Sequence, residues 1–188
     1  DADRLPLNGP PPDDPRVREL TEEIVRLSAE FGVLTEYTAF FAREGEAVDA
    51  PDRVVFEAER NLREEAMKKR SGKGAVSQSM NAEVRMKQKR LNRTNSFLDK
   101  DMRKVEVRSV KQMADRAFFK RGKRWVDGRL LLKGKDAKPR RVVRFGTRDF
   151  DRLVQRLAKA GRQASVALDG EILIELEEGP VLVTGLRK

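Results

Sequence analysis

The chain has 188 residues, enough for one domain with a real core or two small ones, but 38% of them are charged, well above the usual quarter, so large parts of it are solvated. It contains no Cys and no His, which excludes disulfides, thiolate metal sites, Cys nucleophiles and the commonest general base, while carboxylate or Lys chemistry remains possible. The net charge is +10, of which 14 Lys/Arg against 5 Asp/Glu place +9 between Arg60 and Lys104, and no apolar run approaches the ~20 residues of a membrane span.

Residues 1–15, "DADRLPLNGPPPDDP", are rich in Pro and Asp and predict no regular structure. No signal peptide opens the chain, and without an initial Met it reads as a cut fragment or a mature product. Asp13-Asp14-Pro15 is a helix start, with acids at the positive end of the dipole and Pro in the first turn. From Arg16 to Phe31 the apolar residues Val17, Leu20, Ile24, Leu27 and Phe31 recur at helical spacing and form one stripe, which Gly32 stops. Val33–Ala42, "VLTEYTAFFA", is rich in β-branched and aromatic residues and predicts an extended strand. After the loop "REGEAVDAPD", a second helix is expected from Arg53 to Arg70, with Val54, Val55, Ala58, Leu62, Ala66 and Met67 on its apolar side. Ser71–Ser79 has the composition of a flexible linker. Met80–Met102 is weakly helical, and its Val84, Leu91, Phe97 and Leu98 cannot build a core alone.

From Lys104 the period changes to two. "KVEVRSV" alternates through Val105, Val107 and Val110, and "RAFFKRGKRWVDGRLLL" (Arg116–Leu132) holds a hairpin around Arg121-Gly122-Lys123. "RRVVRF" is another short strand. Thr147 then caps a helix with the stripe Phe150, Leu153, Val154 and Leu157, and Gly161 ends it. "ASVALDGEILIELEEGPVLVTG" closes the chain with turns at Asp169-Gly170 and Glu178-Gly179-Pro180. Residues 104–185 are therefore expected to be a small antiparallel module of five to seven strands and one helix, folding by itself.

Three constellations bear on chemistry. The aromatics and cations of Arg116–Leu132 suit either a hairpin that buries Trp125 and Phe118 or Phe119 against Leu153 and Leu157, or a platform for stacking bases; a stacking groove needs several aromatics, and the basic stretch 60–104 has only Phe97. That stretch offers Arg63, Lys68, Lys69, Arg70, Lys73, Arg85, Lys87, Lys89, Arg90 and Arg93 to phosphates, or else is a solvated helix face. The carboxylate pairs Glu22/Glu23, Glu64/Glu65, Asp149/Asp151 and Glu177/Glu178 fall in helices and turns where acids are ordinary, and no phosphate-binding glycine motif is present. Lys138-Pro139-Arg140-Arg141 is a basic turn of a kind that chance often produces.

The segment "VRELTEEIVRLSAEFGVLTEYTAFFA" (Val17–Ala42) resembles the region that closes the von Willebrand factor type A (VWA) domain in VIT/VWA proteins, relatives of the inter-alpha-trypsin inhibitor heavy chains. There a helix ends in a Tyr- or Phe-Gly-like pair, here Phe31-Gly32, and a "(V/L)TPYTS" strand follows; Glu36 stands here for the usual Pro and Ala39 for the usual Ser. "RLPLNG" (Arg4–Gly9) is similar to the "RLNG" that often precedes that helix. "RAFFKRGKRWVDGRL" is similar to the "(K/R)TFYRRGGRWVD" motif of bacterial members, "VVRFGTRDFDRLVQRL" to their "V..FS..YF.LL" segment, and "VALDGEILIEL" to their closing hairpin. The matches cover about residues 4–66 and 105–184 and leave the basic middle unmatched.

The resemblance implies a non-enzymatic interaction protein of which this is the C-terminal part, with an extracytoplasmic or envelope-associated location. The family's metal-ion-dependent adhesion site is an Asp-x-Ser-x-Ser loop early in the VWA domain; this sequence has none, so no metal ligand, cofactor or catalytic residue is expected. The expected architecture is α+β. Residues 1–44 form the tail of a VWA/VIT-type domain, 45–103 a helix and basic, partly helical linker, and 104–188 the small β module with its one helix. The apolar surface of Val17, Leu20, Ile24, Leu27, Phe31, Tyr37, Phe40 and Phe41 then has no sheet of its own. It must dock on the module, on another copy, or on a partner chain such as the remainder of the same protein.

Overall fold

The computed structural model describes residues 14–35, 37–42, 51–68, 73–87, 96–99, 101–133 and 138–186. Helix α1 (Pro15–Phe31) starts where the sequence places it: the Asp14 carboxylate accepts the Arg16 N–H at 3.0 Å, and Pro15 occupies the first turn. Helices α2 (Pro51–Lys68) and α3 (Lys73–Lys87) follow. Strands β1 (Ser96–Leu98) and β2 (Lys104–Glu106) form a two-stranded antiparallel sheet. The main sheet has six strands: β3 (Val110–Met113), β4 (Arg116–Arg121), β5 (Arg124–Asp127), β6 (Arg141–Arg144), β7 (Glu171–Leu176) and β8 (Gly179–Thr184). The one-turn helix α4 (Gly128–Leu131) follows β5, and α5 (Arg148–Lys159) follows β6.

The chain is α+β, but the main sheet is mixed rather than antiparallel. Its order is β3-β4-β5-β7-β8-β6, with β5·β7 and β6·β8 parallel and the other pairs antiparallel. Local turn chemistry explains why only the antiparallel part was expected. The hairpins at Gly122-Lys123 and Glu177-Glu178 are visible as turn residues, whereas the parallel pairs are set by a crossover through α5 that no turn signals. Asp169-Gly170 leads into β7 rather than joining two strands, and Gln163–Val166 is a 3-10 turn.

Both faces of this sheet are buried. On one face Phe118, Trp125, Ile172, Ile174, Val181, Val183 and Val143 pack with Phe150, Leu153 and Leu157 of α5. The Thr147 hydroxyl accepts the Phe150 N–H at 3.3 Å and so starts α5 as the sequence predicts. On the other face Val110, Ala117, Phe119 and Leu131 share a core with Val25, Ala29, Leu34, Phe40, Val54 and Ala58. The period of two puts Phe118 and Phe119 on opposite faces, so each serves a different helix layer. Residue 104 thus does not separate two cores: residues 104–185 alone would expose Val110, Ala117 and Phe119.

Two other expectations change. Val33–Ala42 is not a strand. Val33–Thr35 has no regular structure, and Ala39–Ala42 is a 3-10 turn. Thr38 accounts for this, since its hydroxyl takes the Thr35 N–H at 3.0 Å and meets Ser28 Oγ at 3.0 Å, which bends the chain back onto α1. The stretch read as a flexible linker is already helical from Lys73 onward.

Candidate functional site

Helix α1 carries the candidate docking surface. Its buried residues are Val17, Thr21, Val25, Ser28 and Ala29. The stripe expected to dock lies about a quarter-turn around the helix from these, at 100° per residue. Leu20 is 53% exposed, Leu27 37% and Phe31 38%, with Val33 at 43% just beyond the cap; Ile24 is half-buried. The apolar arc of α1 therefore has two adjacent sides, one inside the protein and one outside it. Of the other docking residues, Val17 and Phe40 belong to the chain's own interior and are not a free surface, and Tyr37 is half-buried. The Phe41 side chain lies outside the described residues.

The small residues on the inner side explain how α1 seats. A Cβ on Gly128 would fall 1.7 Å from the Ala29 carbonyl oxygen, so the start of α4 touches the α1 backbone. At Gly32, φ is +66° and a Cβ would lie 2.7 Å from the Ala117 Cβ, so only glycine ends α1 here. Polar ties complete the seat. Gln112 Nε2 donates to the Phe31 and Gly32 carbonyls at 3.0 and 3.2 Å, Arg129 Nη2 to Glu30 Oε1 at 2.6 Å, and Ser109 Oγ to the Ala42 carbonyl at 2.6 Å. The outer polar side is held by Arg26, which bridges Glu23 at 2.7 Å and Glu30 at 2.9 Å.

The basic stretch is only partly described. Lys69, Arg70, Lys89, Arg90 and Arg93 lie outside the described residues, as do the side chains of Lys68, Lys73 and Arg85. Arg63 is paired with Glu59 at 2.7 Å and Lys87 with Glu83, both one turn along the same helix. The side chain of Asn81 on α3 grips β1 as a strand would: its Nδ2 donates to the Leu98 carbonyl at 2.8 Å, and its Oδ1 accepts the Leu98 N–H at 2.9 Å. The middle of the chain is thus helix and hairpin where it is described, with Phe97 half-buried in β1.

The most deeply buried ion pair is Arg116–Asp127, at 2.6 Å and with side chains 4% and 1% exposed. Asp127 also accepts the N–H groups of Arg129 at 3.1 Å and Glu175 at 3.2 Å, so it caps α4 and ties β5 to β7. Burial pushes its carboxyl up, against the pull of Arg116 and of those two N–H groups. Arg116 also donates to the Glu175 carbonyl, while its Nε finds no hydrogen-bond partner among the described residues. This network ties β4, β5 and β7 together and so has structural work to do. Next to it, Arg162 grips Asp115 through bonds of 2.9 and 2.6 Å and holds that carboxyl below the usual range. The described carboxylate pairs behave as the sequence suggests. Glu22, Glu23, Asp149 and Glu178 each face an arginine rather than another acid. Among the described residues no three Asp or Glu converge to hold a metal ion, and no helix is long and apolar enough to cross a membrane.

Compared with protein-family models, with curated proteins and with solved structures, the chain matches none.

Proposed function

We propose that this chain is a non-enzymatic protein-interaction module, the C-terminal segment of a VIT/VWA-type protein, that docks through the outer stripe of α1 on a partner chain or on the rest of its own protein. The observation that carries the proposal is the pair of adjacent apolar sides on α1. The inner side satisfies the sheet, yet Leu20, Leu27, Phe31 and Val33 still face solvent in one strip. Scattered exposed apolar residues are ordinary, but a continuous strip on a helix that is fixed in place is what an interface core needs. The motifs quoted above give the occupant, since in the family the corresponding helix packs against the VIT and VWA domains.

The experiment is light scattering on the chain as isolated from its native source, with mass spectrometry of what co-migrates, repeated on Leu20→Lys/Leu27→Lys. We expect a complex whose partner is lost in the variant while the melting temperature holds, because both side chains are already exposed. A compact monomer without a partner would overturn the proposal. A co-purifying nucleic acid that salt strips away would favour polyanion binding by the basic stretch 60–104, the alternative function, although its described candidates Arg63 and Lys87 are both already paired with acids.

A further inference from the structure

The open end of the main sheet carries a second surface, independent of α1. Among the described residues strand β6 pairs only with β8, so it ends the sheet and leaves alternate backbone N–H and C=O groups along an edge that no described strand pairs. Its Val142 is 61% exposed and the following Phe145 53%. Beside β6, on the α5 face, lies a groove of about 290 Å³. Val143 and Leu153 form its apolar floor, and Arg141, Arg152 and Arg156 line its walls together with Asp149. Arg141 reaches Asp149 at 3.2 Å, and Arg156 reaches Glu178 at 2.5 Å. Arg144 and Arg148, both exposed, have no acidic partner among the described residues. From Lys138 to Arg156 the sequence holds seven Lys/Arg against two acids, so the edge is strongly cationic.

We propose that this edge takes an extended acidic segment of a partner protein as an added strand. Charge alone would also suit a phosphate backbone, but a phosphate brings only acceptors and cannot satisfy the edge carbonyls. A peptide backbone supplies both donors and acceptors. The period of two then sets the ligand's pattern. Arg141 and Val143 face α5, so every second residue of the added strand meets the arginines and is acidic. The residues between lie on the other face, which Val142 and Arg144 share, and those beside Val142 are apolar. The ligand class is an alternating acidic–apolar peptide.

The test is fluorescence anisotropy on the full chain with a labelled Glu-Val-Glu-Val-Glu-Val peptide. The same peptide N-methylated at each Val and a single-stranded oligonucleotide of equal charge serve as competitors. We expect saturable binding that weakens about tenfold on N-methylation and about tenfold in Arg152→Glu, with the melting temperature of that variant unchanged because the side chain is exposed. Equal affinity for the N-methylated peptide would overturn strand addition. Equal affinity of the variant would place binding elsewhere. An oligonucleotide that outcompetes the peptide would assign the surface to nucleic acid. None of these outcomes depends on the α1 surface, which the Leu20/Leu27 variant tests separately.

Discussion

Substituting Gly128 by Ala tests whether α1 is part of the folded body. The added Cβ would sit 1.7 Å from the Ala29 carbonyl oxygen, 2.7 Å from its carbonyl carbon and 3.1 Å from Phe119 Cε2. Carbon and oxygen approach no closer than about 3.3 Å even in the weak contacts that favour them, so α1 must retreat by about 1.5 Å. The obstacle is backbone, which cannot rotate away as a flexible side chain could. A gap of that size strips Ala29 and Val25 of much of their dispersion contact with the sheet. Overpacking of this kind costs about 1–3 kcal/mol and sometimes more. We expect the upper end, a fall of about 6–12 °C in melting temperature for a chain of this size. Amide exchange should rise along α1 from Val25 to Phe31 and stay unchanged in β7 and β8. Arg129→Ala, which removes only the half-exposed bridge to Glu30, should cost no more than about 1 kcal/mol and so separates the steric effect from the ion pair. If Gly128→Ala melts within about 1 °C of the parent with α1 equally protected, α1 does not rest on α4.

Asp127→Ala should destabilise by about 3–5 kcal/mol, because Arg116 is left buried without its counter-charge. The double substitution Arg116→Met/Asp127→Leu should recover part of that in chemical denaturation, the rest being the Arg129 and Glu175 N–H groups left without their acceptor, and a double variant as unstable as the single one would refute the charge explanation. The Asp115–Arg162 pair gives a pH dependence of defined sign. Its carboxyl is held down in the folded state, so its contribution is complete above the unfolded value near pH 4 and is lost as pH falls through the lower folded value. The gap in melting temperature between parent and Asp115→Asn, worth no more than about 1 kcal/mol for so exposed a pair, should therefore close as pH falls below the ordinary carboxylate value of about 4. Asp127 acts in the opposite sense: burial raises its carboxyl, so the cost of ionising it in the folded state makes stability fall as pH rises through the folded value, a cost that its bonds to Arg116 and two backbone N–H groups partly offset. A gap that widens on acidification would contradict the Asp115 assignment.

Periodicity made the elements legible, and chemistry at a distance made the rest illegible. Asp14, Gly32, Thr147 and Gly122 mark their caps and turn within a few residues, and each is where the sequence places it. The inner side of α1 was harder to see because it is built from Thr21, Val25, Ser28 and Ala29 rather than from the larger stripe at Leu20, Leu27 and Phe31. The signal was small size: only small side chains let the α4 backbone come into contact. Trp125 is a core residue, as its hairpin position suggests, because its face of the sheet is covered by α5. The cationic edge at β6 is not legible in the sequence, because acids further along the chain balance it there. Seven cations between Lys138 and Arg156 are offset in sequence by Glu171, Glu175, Glu177 and Glu178. In space only Glu178 is bonded to one of the arginines lining the groove, while Glu171 and Glu175 pair with Arg124 and Lys133 elsewhere on the sheet.

The two apolar sides of α1 also bear on how tightly a partner can bind. A helix that had to order on docking would lose much of its interaction energy to lost conformational freedom. Here Gln112, Arg129 and the Gly128 contact fix α1 before any partner arrives, so the outer stripe is presented ready-made. The inner side thus serves the outer one. Gly128→Ala touches none of Leu20, Leu27 or Phe31, yet by loosening the seat it should weaken docking of the partner as well as the fold. Unchanged partner affinity in a Gly128→Ala chain with a loosened α1 would show that the outer stripe is not the surface that docks.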